Sequence, residues 1–250
     1  MAASMNYPLN KLLTFLFFVI VSAGNAQAKL TCMEKSGKPI QIGIAFGYID
    51  QIPNDRVLDG LFFSRLQNLL TQECTPEEAS ICGFSTTSRN PLTFKKDKIT
   101  ITMFNSSVSA SNQYNVQNPE QATKSELATG LIKSMANESD IIFYLGHSRK
   151  GGGPDFTPPL LTNDNKVDYE YYKTNRPGLN LLNDILPGSN VKVFGIYSCD
   201  SLNNFSAYLR NNLPDVDFIF TDKATTPSDA FKVMTSDLRK VISNQCMKTF

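Results

Sequence analysis

At 250 residues, with a formal net charge of +1 and 19% charged side chains, the chain is long enough for one substantial core and carries no basic excess. That balance argues against nucleic acid or an anionic membrane surface as the main partner, because phosphate contacts need clustered positive charge. One histidine and five cysteines with no C-x-x-C pair argue equally against a zinc site.

The first 28 residues read as a leader rather than as fold. Lys11 gives a weak positive start, Leu12 to Val21 an apolar core, and Ala26-Gln27-Ala28 an A-x-A cleavage site. The apolar run is shorter than the roughly 20 residues that span a bilayer, so a signal peptide is expected in place of a membrane anchor. The mature chain is then expected to run from Lys29 as a single domain over residues 29–250, with a formal charge of zero. Export to the periplasm or the extracellular space follows, and an oxidising compartment allows disulfides. The cysteines are Cys32, Cys74, Cys82, Cys199 and Cys246. Cys74 and Cys82 are the easiest local pair, but four cysteines allow three connectivities. Cys199 is the one lying at the end of an apolar run.

In chain order, Lys38 to Ile49 reads as a first strand. Asp55 to Cys74 follows with helical spacing at Val57, Leu58, Leu61, Phe62, Leu66, Leu69 and Leu70, with Asn54 or Asp55 as cap. Phe84 to Phe94 is a polar strand or loop. Lys95, Lys96 and Lys98, interrupted by Asp97, read as a solvated turn. Ile99 to Phe104 is a second clear strand, and the Ser/Asn-rich 106–118 stretch a connection. Pro119 opens a helix to about Ala136, with Leu127, Leu131, Ile132 and Met135 on one face. A strand then ends in Gly146-His147-Ser148. Gly151-Gly152-Gly153-Pro154 is a loop on composition, and Pro159 to Tyr172 a hairpin turning at Asn163-Asp164-Asn165. Gly178 to Leu186 is a short helix, followed by a strand from Val191 to Cys199. Ser201 caps a helix through Arg210, Val216 to Thr221 is a strand, and Ser228 to about Asn244 a last amphipathic helix.

Strand and helix alternate almost throughout, which predicts an α/β fold: a three-layer α/β/α sandwich around a mostly parallel sheet. Ligands in such sheets bind outside the carboxyl ends of the strands, where both His147 and Cys199 fall. If their strands are neighbours, the two backbones lie about 5 Å apart. Cys199 also precedes a helix start, whose dipole and open amides favour a thiolate. The expected chemistry is acyl transfer: Cys199 as nucleophile, His147 as acid and base, and the backbone N–H groups of Ser148 and Cys199 holding the oxyanion. No metal or organic cofactor is expected. A serine-esterase elbow at Gly146-His147-Ser148 fails on two counts: Arg149-Lys150 stand where a glycine is needed, and no histidine lies downstream. The glycine run lacks the Gly-Lys-Ser/Thr of a phosphate loop. Arg149, Lys150 and Asp155 follow His147 in a loop, where charge is ordinarily solvated. Three Asn-x-Ser sequons, at Asn105, Asn137 and Asn204, carry no assigned function.

These blocks, Ile141-Ile-Phe-Tyr-Leu-Gly-His147-Ser148 and Val193-Phe-Gly-Ile-Tyr-Ser-Cys199-Asp200-Ser201, set 52 residues apart from His to Cys, resemble the caspase/clostripain/gingipain assemblage of cysteine peptidases (clan CD). Metacaspase-like bacterial members are nearest in layout. The Gly178–Gly188 segment resembles the helix that precedes the Cys strand in that group. The resemblance implies a caspase-like fold, a His147/Cys199 dyad and a protein or peptide substrate. It departs at Ser148, where the family has glycine, and offers no acidic specificity residue to carry over. The other class of function is a catalytically inactive binding or inhibitory module on the same scaffold. Cleavage preference and oligomeric state are not encoded in these motifs.

Overall fold

A computed structural model gives the structure of the protein and describes residues 28–32, 38–51, 54–75, 80–223 and 226–250. The expected leader, Ala28 apart, lies outside the described residues. Among the described residues eleven strands and seven α-helices follow in the order β1 (Lys29–Thr31), β2 (Ile40–Phe46), β3 (Asp50–Gln51), β4 (Asn54–Val57), α1 (Leu58–Thr71), β5 (Ser85–Arg89), β6 (Leu92–Lys96), β7 (Ile99–Asn105), α2 (Asn112–Gln117), α3 (Glu120–Glu138), β8 (Ile141–Leu145), α4 (Tyr169–Asn175), α5 (Pro177–Ile185), β9 (Val193–Tyr197), α6 (Ser201–Asn212), β10 (Asp217–Phe220), α7 (Pro227–Ile242) and β11 (Met247–Thr249).

Seven strands form one sheet in the order β10-β9-β8-β2-β7-β6-β5. The five from β10 to β7 are parallel, and β6 and β5 add an antiparallel hairpin at one edge. β8 and β9 are buried along their whole length, which is why both read as unbroken apolar runs. Alternate side chains divide the interior in two. Ile42, Ile44, Phe46, Phe143 and Tyr197 pack under α1 and α7, whereas Ala45, Ile142, Tyr144, Phe194 and Ile196 pack under α3, α5 and α6. The expected three-layer α/β/α sandwich with a mostly parallel sheet is therefore the fold observed.

The helix facing differs from expectation in α3. Its buried side is Gln121, Ser125, Ala128, Ile132, Met135 and Ala136, and Leu127 is 47% exposed. Small residues let α3 lie close to the sheet, where Met135 covers Gly43, so the longer Leu127 is turned outward. At α1 the residues proposed as caps, Asn54 and Asp55, belong instead to β4, which pairs with β3. Lys95 and Lys96 are strand residues of β6, and Lys96 donates to the Cys82 carbonyl at 2.8 Å while its ammonium lies over Phe84. The turn they were expected to form is confined to Asp97 and Lys98. Ser201 does not cap α6 with its side chain. Its hydroxyl donates to the Ile196 carbonyl and accepts from the Thr221 amide, tying the helix start to the ends of β9 and β10.

Two disulfides form, Cys74–Cys82 and Cys32–Cys246. The second joins a ribbon that periodicity did not reveal, β1 paired antiparallel with β11. Phe250 then exchanges backbone hydrogen bonds with Phe218 and covers the outer edge of β10. No helix among the described residues is long and apolar enough to cross a membrane.

Candidate active site

The chain leaves β2 toward β7 on one side and returns to β8 on the other. The carboxyl ends of β2 and β8 thus mark the point where strand order reverses, the usual ligand position in open α/β sheets. Register aligns the strand ends: Phe46 pairs with Leu145, and Leu145 with Tyr197. The ladder continues one step further, with Gly47 N–H donating to Leu145 and Gly146 N–H to Tyr197. His147 and Cys199 each follow two residues later, on neighbouring strands, so the adjacency expected of their strands holds. Cys199 is exposed and lies outside both disulfides.

A second tie joins the two loops. Asn204, in the first turn of α6, donates from Nδ2 to the Ser148 hydroxyl and to the Cys199 carbonyl, each at 3.2 Å. Asp200, just before α6, takes a left-handed conformation (φ 52°) that turns the chain sharply from β9 into the helix. Ser148 is buried, with φ −79° and ψ −21°. That is ordinary right-handed backbone, so a serine fits where the resembling family carries glycine.

His147 is not alone at this end of the sheet. Its Nε2 lies 3.0 Å from Oδ1 of Asp50, the first residue of β3 and a residue that the strand and motif readings passed over. The Asp50 side chain is 3% exposed against 28% for His147. Burial alone would raise the Asp50 carboxyl, but the His147 hydrogen bond and the Arg149 guanidinium outweigh it and hold the group below its ordinary value. An ionised carboxylate only accepts, so His147 donates from Nε2–H, and Nδ1 is the ring nitrogen left to exchange protons.

Loop charge, expected to be solvated, is mostly buried here. Arg149 Nη2 is 3.7 Å from Asp50, and its Nε donates to Asp155 Oδ2 at 2.8 Å. The Arg149 side chain is 2% exposed. Burial works against its charge, and Asp155 with Asp50 more than restores it. Asp155 Oδ1 accepts in turn from the amide and hydroxyl of Thr157, and the guanidinium faces the Tyr172 ring. Lys150 alone is exposed, with its ammonium over Tyr169. Arg149 and Lys150 both sit at positive φ (46° and 51°), and this tight turn folds the arginine back under His147.

The Gly151–Gly153 stretch is a packing device. Gly152 N–H donates to the Arg149 carbonyl, Gly153 N–H to that of Ser148, and Gly178 N–H to that of Gly152. A Cβ on Gly178 would lie 2.0 Å from the Gly153 carbonyl carbon, so α5 approaches the loop as closely as backbone can. Tyr144 completes the base: its hydroxyl accepts from the Asp155 amide and donates to the His147 or Asp155 carbonyl.

Among the described residues no group of three or more His, Cys, Asp or Glu side chains is placed to hold a metal ion. Comparison of the chain with protein-family models, with curated proteins and with solved structures found no match.

Proposed function

We propose that the chain is an exported, caspase-like cysteine peptidase that hydrolyses peptide bonds through His147 and Cys199. The observation that carries this reading is the register of β8 and β9, neighbouring parallel strands that end level with one another, with the only imidazole two residues past the end of one and the cysteine outside both disulfides two residues past the end of the other. The paired disulfides fit an oxidising compartment.

In the first step Nδ1 of His147 takes the Cys199 thiol proton, and the thiolate adds to the scissile carbonyl carbon. The carbonyl π pair moves to oxygen, where the N–H groups of Ser148 and Cys199 receive it. Collapse breaks the C–N bond as His147 returns its proton to the departing amine, leaving a thioester on Cys199. His147 then takes a proton from water, the hydroxide adds to the thioester carbonyl, and the C–S bond breaks as the departing sulfur takes the proton back from His147 and the new carboxyl terminus leaves. Both side chains end as they began.

Thiol labelling combined with a peptide library tests this. Purified protein beginning at Lys29 is expected to be alkylated at Cys199 faster than a small free thiol, and to cleave a subset of the library. His147→Ala slows the labelling, and Cys199→Ser abolishes cleavage. Background labelling together with an uncut library overturns the enzyme and leaves the binding-module class.

A further inference from the structure

We infer that Asp50 is a positioning residue for His147, making the reacting unit a carboxylate–imidazole–thiol series in place of a dyad; this rests on the peptidase reading above. Four observations converge on it. The Asp50–His147 contact at 3.0 Å joins residues 97 apart in sequence, so no local turn imposes it. The carboxylate is almost fully buried and held ionised, which makes it an obligate acceptor for Nε2–H. The segment that carries it is held at three successive residues: Tyr48 N–H donates to the Asp155 carbonyl, the Ile49 carbonyl accepts from Leu58 N–H, and Asp50 pairs with Val57 across the β3–β4 ribbon. Finally, the charges close. Asp50 and Asp155 stand against the single guanidinium of Arg149, leaving one negative charge that an imidazolium cancels.

That last point links the cluster to the chemistry. Proton transfer from Cys199 to His147 creates an imidazolium at the moment the thiolate forms, and a fixed anion behind Nε2 stabilises it without reorganising. Two phenols lie beside this cluster: Tyr48, ahead of β3, which interacts with Asp50 and Arg149, and Tyr172 on α4, whose ring faces the Arg149 guanidinium. Burial raises both phenols, Tyr172 to about 12, so neither supplies charge at neutral pH. Arg149 turns its guanidinium to the two carboxylates, with Nε on Asp155 and Nη2 3.7 Å from Asp50, and it is the Asp50 carboxylate that His147 meets.

The sole histidine makes the test direct. In the wild-type protein, 15N shifts of the one imidazole report which ring nitrogen carries the proton; the expected neutral form is Nε2–H alone, and a proton found on Nδ1 overturns the inference without any variant. The second measurement is the rate of Cys199 alkylation between pH 4 and 9 in wild type, Asp50→Asn, Asp50→Ala and His147→Ala, with melting temperature recorded for each. Asparagine keeps an oxygen for Nε2–H but removes the charge, so Asp50→Asn is expected to keep the tautomer, narrow the pH window of fast labelling and lower its plateau roughly tenfold or more, a part of the roughly 10²–10⁴-fold that a positioned acid–base group contributes. Asp50→Ala is expected to lose the tautomer preference as well. If His147→Ala slows labelling while both Asp50 variants keep the wild-type profile, Asp50 is structural and the dyad survives. If His147→Ala leaves labelling unchanged, the peptidase reading itself fails.

Discussion

Asp59 offers the sharpest physical prediction, because it is a carboxyl group fully buried behind the site. It sits in the first turn of α1, facing the end of β7, and is completely inaccessible. The Ser107 hydroxyl and amide and the more distant Ser106 hydroxyl point at it. Burial outweighs those donors and pushes its pKa up to about 7 from an ordinary 3.8. Between those values the folded chain holds a proton that the unfolded chain has released, so stability falls as pH rises through that window and levels off above pH 7. At about 1.36 kcal/mol per unit, the whole shift is worth about 4 kcal/mol, and the portion between pH 5 and pH 8 roughly 2–3 kcal/mol. Asp59→Asn presents the same shape with no proton to lose: its amide oxygen accepts from Ser107, and its amino group takes the place of the carboxylic O–H. The assay is urea unfolding of both proteins at pH 5 and pH 8, with free energies from linear extrapolation. Subtracting the variant's own pH dependence isolates Asp59. Wild type is expected to lose those 2–3 kcal/mol from pH 5 to pH 8 beyond whatever the variant loses. Parallel profiles for the two proteins would refute the assignment of a buried, protonated acid at this position.

The remaining expectations concern the frame around the site. Opening Cys32–Cys246, which closes 214 residues, with a Cys32→Ser/Cys246→Ser double variant should cost about 5 kcal/mol by chain entropy, against about 2–3 kcal/mol for the eight-residue Cys74–Cys82 loop; equal urea midpoints for the two double variants contradict this. Gly178→Ala drives a methyl into the backbone of Gly153 and Pro154 and should destabilise by about 1–3 kcal/mol or more. Gly130→Ala in α3 meets open space and should stabilise by about 0.4–1 kcal/mol, so thermal melts are expected to move in opposite directions. Asn204→Ala removes the bridge between the His147 and Cys199 loops; misplacement on the ångström scale can cost roughly 10²-fold, so peptide cleavage should fall at least about tenfold with little change in melting temperature.

How much of this was legible in the chain depends on whether the signal was periodic. β8 and β9 announced themselves because strands buried on both faces need uninterrupted apolar side chains, and the reactive residues at their ends came into view with them. The β1–β11 ribbon did not, because three-residue strands at opposite ends of the described fold carry no period to read. Arg149 and Asp155 escape the sequence for another reason: a charge in a glycine-rich loop is ordinarily solvated, and only the folded loop brings the two together. Asp50 shows where the two failures meet. It lies four residues beyond the end of β2, and the expected first strand ran on to Ile49, so the acid fell just past a boundary placed three residues too late. The rule used for His147 and Cys199, that chemistry gathers at the carboxyl ends of parallel strands, applies equally to β2. Applied to every strand rather than to those ending in a histidine or a cysteine, it selects Asp50 as well. A nonlocal carboxylate–imidazole pair has no spacing of its own, and strand order is what turns it into a prediction.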